Sequence, residues 1–226
     1  ATNVWYHFAV TRTSAGVYTI WINGVADGTQ TYNTAAVASA TTLVINGGND
    51  NNGLGNNGGS FLISNLRFIY NQALYSGTFT PSTSALTATT VGSTGAGAAS
   101  SITGTVVILT CQGSNIVDNS SNNLSLTFAG TPSVVPTWPF NVATYSNTTS
   151  VVYTPAVFGG SMYFDGSGDY LTVPYQPYFD IPASTAFTFE CWVYTTSTNI
   201  FVMANRNWAF GSTGATWAFY LASGIT

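Results

Sequence analysis

The sequence predicts an all-β chain, an antiparallel β-sandwich of the jelly-roll kind. Apolar residues recur with period two in many short segments, and clusters of Gly, Asn, Ser and Pro separate those segments at close spacing. No long stretch carries the 3.6-residue period of an amphipathic helix, and Asn71–Ser76 would give one short turn at most.

In chain order, Tyr6, Phe8 and Val10 alternate with His7, Ala9 and Thr11, as in a strand with two distinct faces. Val17–Ile22 is β-branched and aromatic, and Asn23-Gly24 after it supplies the two left-handed residues of a type I′ hairpin turn. Thr42–Ile45 and Phe61–Tyr70 follow, with the Asn- and Gly-rich Asn46–Gly59 between them as a long loop at a sheet rim. The second half offers Val106–Thr110, Leu124–Phe128, Ser161–Phe164, Tyr170–Val173, Phe187–Tyr194, Ile200–Ala204 and Thr216–Leu221. Ser84–Thr105 consists of small residues without an aromatic and reads as linker. The chain therefore divides into 1–88, a linker over 89–104, and 105–226.

Composition narrows the function. Of 226 residues 4% are charged; Arg12, Arg67 and Arg206 are the cations, there is no lysine, and the formal net charge is -4. Nucleic acid requires clustered Lys and Arg, and so does an anionic membrane surface. Three scattered arginines exclude both. No run approaches the ~18 apolar residues of a spanning helix, so membrane insertion is not expected. A hydrophobic content of 45% supplies a core and excludes a disordered polar tract. Cys111 and Cys191 fit either buried free thiols or one disulfide. The chain opens at Ala1 with neither an initiator Met nor a signal-peptide pattern, which reads as processing or as a segment of something longer.

Several strand-and-turn texts together resemble one family. Trp5–Arg12 (WYHFAVTR) with Tyr18–Gly24 (YTIWING) is similar to the hairpin text W-H-H…V-T-R…Y-V-D/N-G of laminin-G-like domains, which are concanavalin A-like jelly rolls. Leu43–Gly48, Phe61–Tyr70, Ala73-Leu74-Tyr75 and Phe79-Thr80-Pro81 resemble that family's closing strands, its "ALY" turn and its "F-T-P" exit. In the second half, Val107–Thr110 with Asp118-Asn119-Ser120, Gly159–Leu171 and Phe187–Tyr194 resemble the family's opening strands. By this resemblance 1–88 is the C-terminal half of a domain and 105–226 the N-terminal half of the next. One strand of roughly 10–15 residues is missing where 226 would join 1. Three arrangements suit that order: a one-period window of tandem repeats, a circular permutant closing one sandwich, or halves exchanged between neighbouring subunits.

The candidate chemistry is sparse. Glycoside hydrolysis requires two carboxylates at fixed separation, but Glu190 is the sole glutamate and has only Thr188 and Trp192 two residues away. Pairing with a cation, for instance Arg206, is the expected role of Glu190. His7 is the sole histidine, which leaves little for a catalytic triad or a zinc site; packing and hydrogen bonding are its expected work. Calcium is the one cofactor the resemblance suggests, through Asp118 and Asn119 or through Asp165 and Asp169, because a hard cation takes Asp, Asn and carbonyl oxygens. The opposing reading is that Asp in Gly/Ser turns accepts backbone N–H bonds. Asp50 in the Asn-rich loop would be a weak site at best. Tyr175, Tyr178, Trp138 and Trp208 lie in loop-like text and are the candidates to stack on sugar faces, whereas Trp5, Trp21, Trp192 and Trp217 lie in strands and suit the core. N-x-[ST] triplets at Asn119, Asn123 and Asn147 are expected by chance in so polar a chain.

The expected function is therefore non-enzymatic. It is that of a structural or recognition module of an extracellular assembly, such as a virion (phage) tail fibre or a surface filament. Its partners would be further copies or neighbouring repeats of the same protein. The alternative is a carbohydrate-binding or adhesin module engaging a glycan or a cell-surface receptor. Scarce charge favours assembly, because free strand edges are ordinarily guarded by lysines and inward charges, and low net charge gives little colloidal protection.

Overall fold

Period-two alternation places bulky apolar side chains on one face of each of two sheets, and those faces meet. The computed structural model describes residues 4–31, 42–50, 53–56, 58–113, 115–140, 160–195, 200–205 and 217–221. Its strands are β1 (Tyr6–Arg12), β2 (Val17–Ile22), β3 (Val25–Thr31), β4 (Leu43–Ile45), β5 (Gly48–Asp50), β6 (Gly53–Asn56), β7 (Ser60–Tyr70) and β8 (Thr105–Thr110). They continue as β9 (Thr127–Ala129), β10 (Ser133–Val135), β11 (Ser161–Asp165), β12 (Tyr170–Val173), β13 (Phe187–Thr195), β14 (Ile200–Asn205) and β15 (Trp217–Leu221). The larger sheet runs β10-β11-β7-β13-β1-β2-β3, with β8 also pairing with β7; the smaller runs β15-β14-β4-β12-β9; β5 and β6 form a separate ribbon. All these pairings are antiparallel. The architecture is an all-β sandwich, as expected.

Strands from the two segments are neighbours in both sheets. β13 lies between β7 and β1, and β4 lies between β14 and β12. Residues 1–88 and 105–226 thus contribute strands to the same two sheets. The core between the sheets joins Phe8, Ile63, Phe68, Phe164, Phe189 and Val193 of the larger sheet to Leu43, Ile45, Leu171, Val202 and Phe219 of the smaller. Cys111 and Cys191 are both buried in this core as free thiols; burial pushes the Cys111 thiol up to about 12.

A second apolar layer covers the outer face of the larger sheet. Residues 71–104 form a strap there, folded on itself by the bridges Tyr75–Ala98 and Thr80–Thr94. Its Leu74, Tyr75, Phe79, Leu86 and Val91 pack on Ala9, Trp21, Ile69 and Trp192. The small-residue stretch read as linker is the returning limb of this strap. Small residues let it lie close: a Cβ on Gly97 would sit inside the contact distance of the Gly77 carbonyl.

The Asn23-Gly24 turn has φ 50° and 82°, as the type I′ reading requires. Four strands were not legible. β3 is exposed along its whole length and has no apolar alternation, so only its pairing with β2 defines it. β5, β6 and β10 are three or four residues each. The Asn-rich loop carries the β5–β6 ribbon. No helix forms at Asn71–Ser76; the described helical turn is Pro177–Phe179, a 3-10 turn.

Candidate functional site

A cluster of buried, mutually bonded polar side chains lies under the strap. Phe61 and Ile63 face the core, and so do Leu66 and Phe68, a spacing of three that breaks the period of β7. Between them Asn65 adopts φ 54°, and the register with β13 shifts by one residue between Glu190 and Trp192. This bulge turns Arg67 to the outer face, directly opposite Glu190. His7 reaches the same carboxylate from β1, whose Ala9 pairs with Glu190.

Glu190 is buried and fully partnered. Arg67 Nε donates to its Oε1 at 2.8 Å and Nη2 lies 2.5 Å from the same oxygen. Tyr75 Oη donates to Oε2 at 2.6 Å, and His7 Nε2 lies 3.2 Å from Oε2. With the carboxylate ionised, Nε2 carries the proton. The remaining Arg67 donors reach the strap: Nη1 to the carbonyls of Thr87 (2.8 Å) and Thr90 (2.7 Å), Nη2 to that of Val91 (2.8 Å). Burial alone would raise the Glu190 carboxyl, but the Arg67 charge and the bonds from His7 and Tyr75 outweigh it and hold it down at about 2. The Tyr75 hydroxyl is pushed up by burial and by Glu190. Tyr75 stacks on Phe79 at 3.6 Å, and the His7 ring meets Trp192 edge-on at 4.5 Å. Arg67 and Glu190 have no exposed side-chain surface, so no substrate reaches them. The cluster fastens the strap to the sheet.

This corrects the expected partner of Glu190. Arg67 holds it, and Arg206 lies outside the described residues. The legible signal was the three-residue step from Ile63 to Leu66, which marks the bulge and with it the face of Arg67. The sequence marked Tyr75 only as part of the Ala73-Leu74-Tyr75 turn, and nothing in it paired Tyr75 with Glu190, which it reaches from the strap.

The proposed calcium residues are engaged by the chain itself. Asp118 Oδ1 accepts from the backbone N–H of Leu109 (3.0 Å) and Ser120 (2.9 Å), and Oδ2 from Ser120 Oγ (2.8 Å) and the Leu124 N–H (2.9 Å). Asn119 Nδ2 donates to Gln112 Oε1. Asp169 accepts from Thr131 N–H at 2.6 Å and Asp165 N–H at 3.1 Å, while Asp165 accepts from Ser167 N–H. Among the described residues no three of His, Cys, Asp and Glu gather as metal ligands.

The aromatic candidates separate. Tyr175 and Tyr178 are exposed beside the Pro177–Phe179 turn; Tyr175 Oη donates to Asp180 at 2.5 Å, and Tyr178 packs edge-on to Tyr70 at 5.3 Å. Trp138 is half-buried and packs on Phe140, which packs on Trp192. Trp208 lies outside the described residues. Of the strand tryptophans, Trp21 and Trp192 are buried, and the Trp21 Nε1–H donates to Thr11 Oγ1 at 2.9 Å.

Comparison with known families adds one finding. Residues 1–77 match the family model described as the Concanavalin A-like lectin/glucanases superfamily, a laminin-G-like model. That part of the chain, 77 of its 226 residues, is similar to the family. It contains β1–β7 and the first limb of the strap, including His7, Arg67 and Tyr75. No curated protein and no solved structure matches the chain. Among the described residues no helix is long and apolar enough to cross a membrane.

Proposed function

We propose that the chain is a non-enzymatic structural module of an extracellular assembly, such as a virion fibre or a surface filament, working beside further copies or repeats of itself. The observation that supports this is where its charge goes. Arg67 and the sole glutamate sit inside, fastening the strap, while among the described residues the strand edges carry almost no charge. A surface so poor in charge suits permanent burial against like neighbours. In the same reading the order of 1–88 before 105–226 marks one period of a repeat. Sedimentation velocity across a concentration series tests the proposal: species larger than the monomer are expected, and a monomer up to millimolar concentration overturns it.

A second reading rests on Tyr175 and Tyr178, two exposed rings beside one turn, with Asp180 fixing the Tyr175 hydroxyl. They suit stacking on a sugar face. A glycan array with wild type and Tyr178→Ala tests it. Binding lost in the variant supports a carbohydrate-binding module, and an array without hits removes it.

A further inference from the structure

The two sheets differ in width, and the difference leaves a slot. The larger sheet extends through β2 and β3 past the last strand of the smaller, β15. The inward side chains of this overhang, Tyr18, Ile20 and Ile22, face a groove of about 930 Å³ whose other wall is Ala218–Leu221. A slab one strand wide, one inter-sheet gap deep and six residues long encloses roughly 1,000 Å³, whereas a helix roughly 10–12 Å across exceeds a single strand's width. The groove thus has the dimensions of one β-strand. Its larger-sheet wall is apolar and incompletely covered: Ile20 is 44% exposed and Val25 57%. Among the described residues, Asp27 is the only charged one lining it. At its inner end an apolar cavity of about 130 Å³ opens between Val10, Tyr18, Phe187 and Phe219, room for one large side chain.

The edges of the sheets differ in the same sense. β9 and β10 are three residues each. β3 is interrupted at Asp27, the extra residue where its register with β2 shifts between Gly28 and Ala26. β15 has five uncharged residues, and the irregularity in its pairing falls in β14, between Phe201 and Met203. Among the described edges, β15 alone combines length, neutrality and an apolar wall opposite.

We propose that this slot receives one extended strand from a second copy of the chain, added to β15, the edge strand among the described residues, with a large apolar residue seated in the inner cavity. Main-chain bonds to β15 would give affinity and the inner cavity would set register. The near-neutral walls select a near-neutral strand, and a chain with 4% charged residues and no lysine supplies one. Because donor strand and slot are different surfaces, the contact is head-to-tail and extends into an array. The inference rests on the assembly reading and names its contact.

Sedimentation velocity on wild type, Ile20→Asp and Phe128→Asp tests it. Ile20 lies on the slot wall, whereas Phe128 is 62% exposed on β9 at the opposite edge. The expectation is that Ile20→Asp weakens self-association by about tenfold or more and Phe128→Asp leaves it unchanged. Val25→Asp, on the same wall beside Ile22, should act like Ile20→Asp, which guards against a folding defect in either variant. Self-association unchanged in both slot variants overturns the slot while leaving the assembly reading intact. A wild-type monomer overturns both, and if Ile20→Asp then also lowers the Tm, the chain's own residues occupy the slot.

Discussion

The two faces of the larger sheet are covered by different means. On the inner face a second sheet supplies the cover, and the contact is carried by side chains such as Phe68, Phe189 and Leu171 with hardly a polar atom between them. On the outer face the cover is the strap, and Arg67, Glu190, His7 and Tyr75 stand in the middle of the contact. A sheet satisfies its own backbone groups by strand pairing and has only apolar surface to bury. The strap has few such pairs, so its carbonyls at Thr87, Thr90 and Val91 require donors from outside, and Arg67 provides them. A buried guanidinium requires an anion in turn, which is the role of Glu190.

Substitutions on the two faces should therefore fail differently. Phe68→Ala removes a buried ring stacked on Phe189 at 4.1 Å, with an expected loss of about 3–5 kcal/mol. Glu190→Gln leaves the Arg67 charge buried without its anion and should lose a similar amount, about 3–5 kcal/mol. Urea unfolding measures both. Hydrogen exchange separates them: Glu190→Gln should deprotect the strap first, at Ala99 N–H, which donates to Leu74, and at Thr94 N–H, which donates to Thr80, whereas Phe68→Ala should deprotect the whole sandwich. Identical patterns would remove the distinction.

Acid should act on the outer face through Glu190. The folded-state pKa of Glu190 lies below its ordinary value of 4.5, at about 2. Its contribution is therefore fully present above pH 4.5 and is lost as pH falls from there through about 2. At most about 3 kcal/mol is at stake. Stability measured against pH should decline in that window in wild type and much less in Glu190→Gln. A parallel decline would assign acid sensitivity to the aspartates.

A smaller effect is expected where hairpin and strap touch. Gly24 has φ 82°, its carbonyl accepts the Phe79 N–H at 3.0 Å, and an added Cβ would collide with the Phe79 carbonyl. Gly24→Ala should cost about 2 kcal/mol. The loss should be halved in a strap already loosened by Glu190→Gln, and a double-mutant cycle measures that coupling.

The sandwich was legible in the sequence because its inner faces obey period two. Tyr170–Val173 is bounded as read from its alternation, and Phe187–Tyr194 and Phe61–Tyr70 fall one residue short. The cover on the outer face was less legible. The strap is irregular and built of Gly, Ala, Ser and Thr, a composition shared by flexible linkers, and its order comes from tertiary bonds that leave no periodic trace. Arg67 was hidden for a related reason, since strict alternation from Phe61 would turn it inward and only the bulge at Asn65 turns it out. β3 is a strand through its partner alone.

The contrast between the faces has a counterpart in the two best-partnered buried carboxylates. Glu190 is held by a charge, Asp118 by four neutral donors that close the turn after β8. Those four bonds occupy the lone-pair sites that a cation would need. Asp118→Asn replaces an acceptor oxygen by an amide donor facing Ser120 Oγ and the Leu124 N–H or the N–H groups of Leu109 and Ser120, which should cost about 1–3 kcal/mol. Millimolar EDTA, in contrast, should leave the Tm of wild type where it is, because the turn draws its stability from protein donors. A Tm that falls with chelator and recovers with added calcium would mean that the ion replaces some of those donors, and Asp118→Asn would then abolish the response.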